Sequence, residues 1–592
     1  MKKIGYSILI VLLCVTSCSS PDTKAIKADS QPNVVVILTD DQGWGDLSIK
    51  GNKDLQTTQI DNLARGGVTF DRFFVCPVCA PTRAEFLTGR YAARGGVFGV
   101  SEGAERLDLD ETTIADIFKE AGYATAAYGK WHNGMQAPYH PNTRGFEDYY
   151  GFCSGHWGNY FNPMLEHNGR PVTGEGFIID DLTNHGLEFM EQNKDNPFFL
   201  YLPFNTPHSP MQVPDQFFTK FEDAPLQMPL NKDSKTIYKT RAALAMCENV
   251  DWNVGRVVAK LEELGLTENT IIVYFSDNGP NGHRWNGDMK GIKGSTDEGG
   301  VRSPTFIQWK GTIVAGKTIP EIAGAIDLLP TLTDLAGVEY TIDKTLDGKS
   351  LKPLILENKP DWEERSIVHH WRTRTSVRNQ QYRLDHEDHL YDMINDPNQT
   401  TDVTEQYPEV HARMKTEKEE YIHNVLGELN MEGQRPLTIG YHAVTTTQIP
   451  ARDGKPHGGV LRSNRYPNCS FFTNWTSLED KITWEVDILE EGDYDIELFY
   501  TCPDHSVGAE FEFTLGESIL KGIITEGHDP QLMGMENDRV PRTESYIKDF
   551  KPILVGTMFL KKGTGTLELQ ATKIPGEMVM DVRLLVFTKK PS

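Results

Sequence analysis

The chain has 592 residues, too many for one hydrophobic core, so two or three domains are expected. Its 38% hydrophobic content, with 10 Trp and 27 Phe, supplies packed interiors and excludes disorder as the default state. The net charge of −25 excludes nucleic acid and anionic membrane surfaces as electrostatic partners, so an anionic substrate must meet a local basic pocket inside an acidic shell.

Met1-Lys-Lys, then a mostly apolar run from Ile8 to Val15 and Thr16-Ser17-Cys18, has the basic start and short apolar stretch of a signal peptide. The V-T-S-C ending resembles a bacterial lipobox, which implies a lipid on Cys18 and a polar tether over residues 19–31. The expectation is export with a lipid anchor in a bacterial membrane, the outer one, facing periplasm or cell surface. The alternative is an ordinary cleaved secretory signal. Six cysteines lie outside the leader, too few for a dense disulfide framework, and a Cys469–Cys502 pair stays open.

Val34–Leu38 is a continuous apolar run, the pattern of a strand buried on both faces, and it ends in Asp40-Asp41. Carboxylates at the carboxyl end of such a strand sit where open α/β sheets bind ligands, although Asp also serves as a turn or cap residue there. Cys79-Ala-Pro-Thr-Arg83 places a thiol just ahead of a helix start, with Pro81 in the first turn and Arg83 one turn in, a good place to hold an anion. Taken alone, Cys76-Pro-Val-Cys79 also reads as a redox dithiol, half of a zinc site or a buried structural cysteine.

A helix is predicted over Thr113–Ala121, stopped by Gly122. In Tyr123–His132 an extended backbone would put Lys130 and His132 on one side. Phe198–Phe204 reads as another buried strand running into a proline-stiffened loop with His208. Thr240–Leu264 has a long amphipathic helix pattern, and Ile271–Phe275 is a strand delivering Asp277 and Asn278. Asp40, Asp41, Asp277 and Asn278 form an oxygen-only ligand set, which suits a hard divalent cation, Ca2+ before Mg2+ and both before Zn2+. The glycine-rich stretch Met289–Pro304 brings Lys293 on a loop able to approach a ligand closely.

The sequence C-A-P-T-R followed by L-T-G-R resembles the signature of the formylglycine-dependent sulfatases. G-K-W-H at 129–132, P-H-S-P at 207–210 and the G-I-K…E-G-G-V-R segment ending at Arg302 resemble further landmarks of that family, with Asn133 where Leu is more usual and Ser303 where Val is. The resemblance runs from about Asn33 to Val425. It implies an alkaline-phosphatase-like α/β fold, a mostly parallel central sheet flanked by helices, over 32–338, followed by a small antiparallel subdomain over 339–431. From 432 to 592 alternating stretches such as Trp484–Ile488 and Tyr494–Tyr500 read instead as an appended β-sandwich, with Phe471, Phe472 and Trp475 as packing residues before sugar platforms.

The resemblance also implies roles. Cys79 would be oxidised by a separate maturation enzyme to formylglycine, whose hydrated aldehyde is the nucleophile and a further ligand of the metal. Lys130 and Lys293 would clamp the sulfate oxygens, Arg83 would hold the nucleophile, His208 would be the general acid and His132 a base. For an exported, anchored enzyme the expected substrate is a sulfated polysaccharide or its oligosaccharides, algal or glycosaminoglycan. Candidate sugar-facing residues are His156, Trp157, His167, Arg284, Trp285 and His369 to Arg372. Two rival readings are a phosphatase or phosphodiesterase of the same superfamily and a non-catalytic glycan-binding surface lipoprotein.

Overall fold

The structure, a computed structural model, describes residue 1 and residues 31–228, 233–357, 361–429 and 435–591. The leader, Cys18 and the tether as far as residue 30 lie outside the described residues. No helix among the described residues is long and apolar enough to cross a membrane.

The first apolar run becomes the strand Asn33–Thr39 at the centre of a large sheet. It pairs in parallel with Phe198–Pro203 on one side and Thr270–Ser276 on the other, and Ala124–Lys130 continues the parallel order beyond Phe198–Pro203. Burial on both faces explains the unbroken apolar sequence. Val35, Ile37, Leu200, Leu202, Ile272 and Tyr274 join one core, against the helices Ile178–Gln192 and Ser234–Glu263. The alternate residues Val34, Val36, Leu38, Phe199, Tyr201, Val273 and Phe275 join a second core, with the helices Ile114–Glu120 and Leu328–Ala336. The period-two alternation of a strand thus feeds two separate interiors.

The sheet turns antiparallel toward its edges, where Arg302–Gln308 pairs with both Thr270–Ser276 and Val68–Phe74. The helix predicted to start at Thr113 does so with a capping box, Thr113 accepting from the Asp116 N–H and Asp116 from that of Thr113. The long helix starts at Ser234, earlier than its apolar pattern, because Asp233 caps it by accepting from Thr236 N at 3.0 Å.

A four-stranded antiparallel sheet, Ile367–Trp371, Arg374–Arg378, Tyr382–Leu384 and Leu390–Asp392, packs with the helix Pro408–Asn424. Beyond it, two six-stranded sheets among the described residues face each other across a core with Trp484, Tyr494, Ile496, Phe511, Phe513 and Phe587, a β-sandwich. Phe472 and Trp475 are in that core and Phe471 packs on Phe499 and Phe550 beside it, so these aromatics are packing residues. Cys469 and Cys502 are both free: Cys469 Sγ donates to the carbonyl of His156 and Cys502 Sγ to that of Val579, in different surroundings.

Candidate active site

Parallel order puts the carboxyl ends of Asn33–Thr39, Ala124–Lys130, Phe198–Pro203 and Thr270–Ser276 on one edge of the sheet. Asp40 and Asp277 are the residues immediately after two of these strands, Lys130 ends a third, and His208 follows the fourth. Gly129, just before Lys130, lies at φ 143°, and a Cβ there would stand 2.1 Å from the Pro203 carbonyl oxygen. Only glycine lets these two strands approach so closely.

Cys79 is the first residue of the ten-residue helix Cys79–Thr88 rather than the residue ahead of it. The first turn is tied to the Asp277 loop: Thr82 Oγ1 donates to the Asp277 carbonyl at 2.6 Å and accepts from Cys76 N at 2.9 Å. Cys76 and Cys79 are both free thiols, so there is no dithiol bond. Arg83 is fully buried and donates from Nη1 to the Lys130 carbonyl at 2.6 Å and from Nη2 to Asp277 Oδ2 at 2.8 Å.

The two lysines meet the two leading carboxylates. Lys130 Nζ lies 2.6 Å from Asp40 Oδ2, and Lys293 Nζ lies 2.5 Å from Asp41 Oδ1. Burial pushes the Asp40 and Asp41 carboxyls up, but Lys130 at the first, Lys293 at the second and His208 at both hold them below the usual carboxylate range. Burial and the neighbouring Asp40 push Asp277 well up, against the pull of Arg83. Asp41 sits at φ 68°, a left-handed conformation whose strain of about 1–3 kcal/mol is characteristic of functional loops. Its N–H donates to Asp277 Oδ1 at 3.2 Å, and Asn278 Nδ2 donates to its Oδ1 at 2.8 Å, so three of the four proposed ligands support one another.

Three buried oxygens in this cluster have no hydrogen-bond partner: Asp40 Oδ1, Asp41 Oδ2 and Asn278 Oδ1. Unpaired buried acceptors of this kind are costly, and a hard cation with oxygen ligands satisfies them. Ligand atoms of Asp40, Cys79 and Asp277, and of Asp40, Asp41 and His208, lie within 4.8 Å of one another. The residues present therefore fit a divalent cation beside Cys79.

His132 differs from the extended-strand expectation, whereas His208 lies in the loop after Phe198–Pro203 as expected. The strand stops at Lys130 and His132 has φ 66°, so period-two alternation does not carry past Lys130. His132 Nε2 donates to the Val100 carbonyl at 2.9 Å, leaving Nδ1 buried and without a partner; burial first, then Lys130, keeps the ring neutral. His208 Nδ1 donates to the Ser209 carbonyl at 2.7 Å, and its Nε2 lies 3.7 Å from Asp41 Oδ2.

The candidate sugar contacts separate. His156 is buried with its ring 5.5 Å from that of His208, and neither of its nitrogens has a partner. Trp157 stacks on Phe152, and Trp285, half-buried, places its backbone against Gly45. Arg284 does not face outward: it donates to both carboxylate oxygens of Asp46 and, at 2.8 Å, to the Asp41 carbonyl, so it braces the Asp41 loop from behind. His369 is buried against Phe74, His370 Nδ1 bonds Thr375 Oγ1, and His167 bonds Asp148. Trp371 and Arg372 stand at the turn joining Ile367–Trp371 to Arg374–Arg378, Arg372 at φ 58°. Asp46, which holds Arg284, and Glu544, which accepts from Ser209 Oγ, have no sign in the sequence, because each acts through a tertiary partner and carries no local motif.

A family model described as sulfatase matches residues 32–338, just over half of the chain. The chain belongs to the sulfatase family. It is a sulfuric ester hydrolase. A second model, N-sulphoglucosamine sulphohydrolase C-terminal, matches residues 293–424 of this sulfatase. The enzyme is 31% identical over 371 residues to N-acetylgalactosamine-6-sulfatase of Mus musculus, covering 57% of this chain and 68% of that one. Among solved structures, Ps i-CgsB in complex with k-i-k-neocarrahexaose is 31% identical with a TM-score of 0.61, covering 68% of this chain and 95% of that chain. BT4656 in complex with D-glucosamine-2-N,6-O-disulfate shares the fold at 22% identity and a TM-score of 0.58, covering 69% and 100%.

Proposed function

We propose that this sulfatase desulfates a sulfated polysaccharide or its oligosaccharides, using formylglycine formed from Cys79 by a maturation enzyme and Ca2+ held by Asp40, Asp41, Asp277 and Asn278. The observation that carries the chemistry is the meeting of Cys79, at a helix N-terminus, with two lysines and three orphaned oxygens at one sheet edge. The sugar reading is supported by the similarity to N-acetylgalactosamine-6-sulfatase and to Ps i-CgsB, whose structure holds k-i-k-neocarrahexaose. We further propose that the enzyme is exported and lipid-anchored through Cys18, as the leader implies.

The oxidised Cys79 side chain would supply the oxygen nucleophile, and the cation would lower the proton affinity of that oxygen and draw charge from the sulfate. Lys130 Nζ and Lys293 Nζ bind the peripheral sulfate oxygens, the fixed charges that stabilise the transition state. Arg83 orients Cys79 by locking the Lys130 carbonyl and Asp277 beside it. Because His208 Nδ1–H is committed to the Ser209 carbonyl, Nε2, 3.7 Å from Asp41 Oδ2, is the atom left to face the departing sugar oxygen, and it gives up a proton there as the imidazolium, returning to the neutral Nδ1–H ring. His132, its Nε2–H committed to Val100, takes a proton at Nδ1 when sulfate is released.

The test is sulfate release from a panel of defined sulfated oligosaccharides by matured protein, with products identified by mass and NMR and paired phosphate esters alongside. Turnover of oligosaccharides is expected. Turnover of aryl sulfate with none of any sulfated sugar would remove the polysaccharide reading, and preferential phosphate release would favour the phosphatase alternative.

A further inference from the structure

The β-sandwich reaches into the catalytic edge. Its loop around residues 534–546 lies along the segment that carries His208: Arg539 N donates to the Met211 carbonyl at 2.9 Å, and Gln212 Nε2 donates to the Gly534 carbonyl at 2.7 Å and to Asp538 Oδ1 at 2.9 Å. A buried ion pair fixes this loop. Arg542 is held by both oxygens of Asp538 at 2.8 Å, with side-chain exposures of 1% and 3%, and donates onward to the Gly158 carbonyl. A second sandwich segment clamps the other wall, Ser154 Oγ donating to Asn468 Oδ1 at 3.1 Å and Cys469 Sγ to the His156 carbonyl.

At the end of this clip stands Glu544. Its Oε1 accepts from Ser209 Oγ at 2.9 Å, one residue from His208. The side chain is half-buried, and its Oε2 accepts from Thr543 N at 3.1 Å and from Thr543 Oγ1 at 3.4 Å, neutral donors that leave the carboxylate charge in place. Across from His208 is His156, nine-tenths buried with two unpartnered nitrogens. A carboxylate and an imidazole beside the residue that protonates the departing oxygen make a hydrogen-bonding wall suited to sugar hydroxyls, one accepting and one able to do either.

We propose that Glu544, delivered by the β-sandwich, and His156 form the leaving-group subsite and select a sugar that carries a free hydroxyl beside the scissile sulfate. A second sulfate or a carboxylate at that position would meet the Glu544 charge in a partly desolvated site and be rejected, as like charges brought together at an interface are. The inference rests on the sugar reading above and adds to it a source, the appended domain, and a chemical rule.

The experiment measures kcat/KM of matured wild type and Glu544→Gln on two oligosaccharides that differ only by a second sulfate on the carbon next to the scissile one. Wild type is expected to prefer the singly sulfated sugar at least about tenfold, and Glu544→Gln to shrink that ratio at least about fivefold, with the change in the ratio itself as the readout. Equal wild-type rates on the two sugars would overturn the proposal without any variant. So would a wild-type preference that Glu544→Gln, folded by its thermal transition, leaves intact. Absence of turnover on either sugar, with aryl sulfate still cleaved, would instead defeat the sugar reading on which the proposal stands.

Discussion

The sulfate end and the sugar end of this site are built differently. At the sulfate end, Asp40, Asp41, Lys130, Asp277 and Cys79 are buried, come from the ends of sheet strands or the start of a helix, and belong to one domain. At the sugar end, the walls at His156 and His208 are pinned by side chains of the C-terminal sandwich. The first is fixed by the sheet, whose registry cannot slip without moving two cores. The second is fixed by a few interdomain hydrogen bonds and one buried ion pair, so it can change without disturbing the chemistry. On the proposals above the labour is divided: the sheet edge would handle the sulfate ester, and the appended domain would select the sugar that comes with it.

That division is broken most severely at the nucleophile. Cys79→Ala is expected to lower kcat/KM by about 10⁴-fold or more on every sulfate ester alike, read as sulfate release, since it removes the thiol from which the proposed nucleophile is formed. Retained turnover would deny the nucleophile assignment. Lys293→Ala is expected to cost about 10²- to 10³-fold, again on all substrates, the usual loss for one preorganised charge at a transition state.

Removing the cation with a chelator is expected to abolish turnover and lower the melting temperature, and returning Ca2+ to about a hundred times its Kd would restore about 2.7 kcal/mol of stability. A melting curve indifferent to chelator and to Ca2+ would argue that the three orphaned oxygens hold no metal. At the sugar end a smaller and selective effect is expected. Arg542→Ala opens the clip to Gly158, and kcat/KM on an oligosaccharide should fall about tenfold, a loss of one precisely placed wall rather than of a charge on sulfur.

The smallest effect touches stability alone. Glu85, on the helix that carries Cys79, is buried and its carboxyl is pushed up to about 8 by desolvation, against a model-peptide value of 4.5. A carboxyl that holds its proton more tightly when folded stabilises below its unfolded value, and that stability is lost as pH rises from about 4.5 to about 8. Glu85→Gln should therefore match wild type near pH 4.5 and melt higher at pH 8 and above, measured by thermal denaturation across pH.

Much of the sulfate end was legible in the sequence because its signals are local. An apolar run ending in Asp40-Asp41, and another ending in Asp277-Asn278, name a strand and its proposed ligand in one stretch, and C-A-P-T-R names the proposed nucleophile and its helix together. His132 escaped that logic: strand alternation was extended two residues beyond the point where the backbone turns left-handed. Arg284 reads from the sequence as a candidate sugar-facing residue, and its partner Asp46 is 238 residues away, a separation that no local pattern spans. Glu544 was invisible for the same reason, since Ser209 lies 335 residues before it and nothing near Glu544 in the chain distinguishes it from other surface acids. The sandwich itself was readable from its alternating strands, but its grip on the site is a property of tertiary contacts.

The division of labour is tested most directly by one ratio, kcat/KM on a sulfated oligosaccharide divided by kcat/KM on a small aryl sulfate, measured for wild type, Lys293→Ala and Arg542→Ala. The ratio should stay within about threefold of wild type in Lys293→Ala, where both substrates lose the same charge, and should fall about tenfold in Arg542→Ala. A ratio that moves equally in both variants, or in neither, would contradict the separation of the two ends.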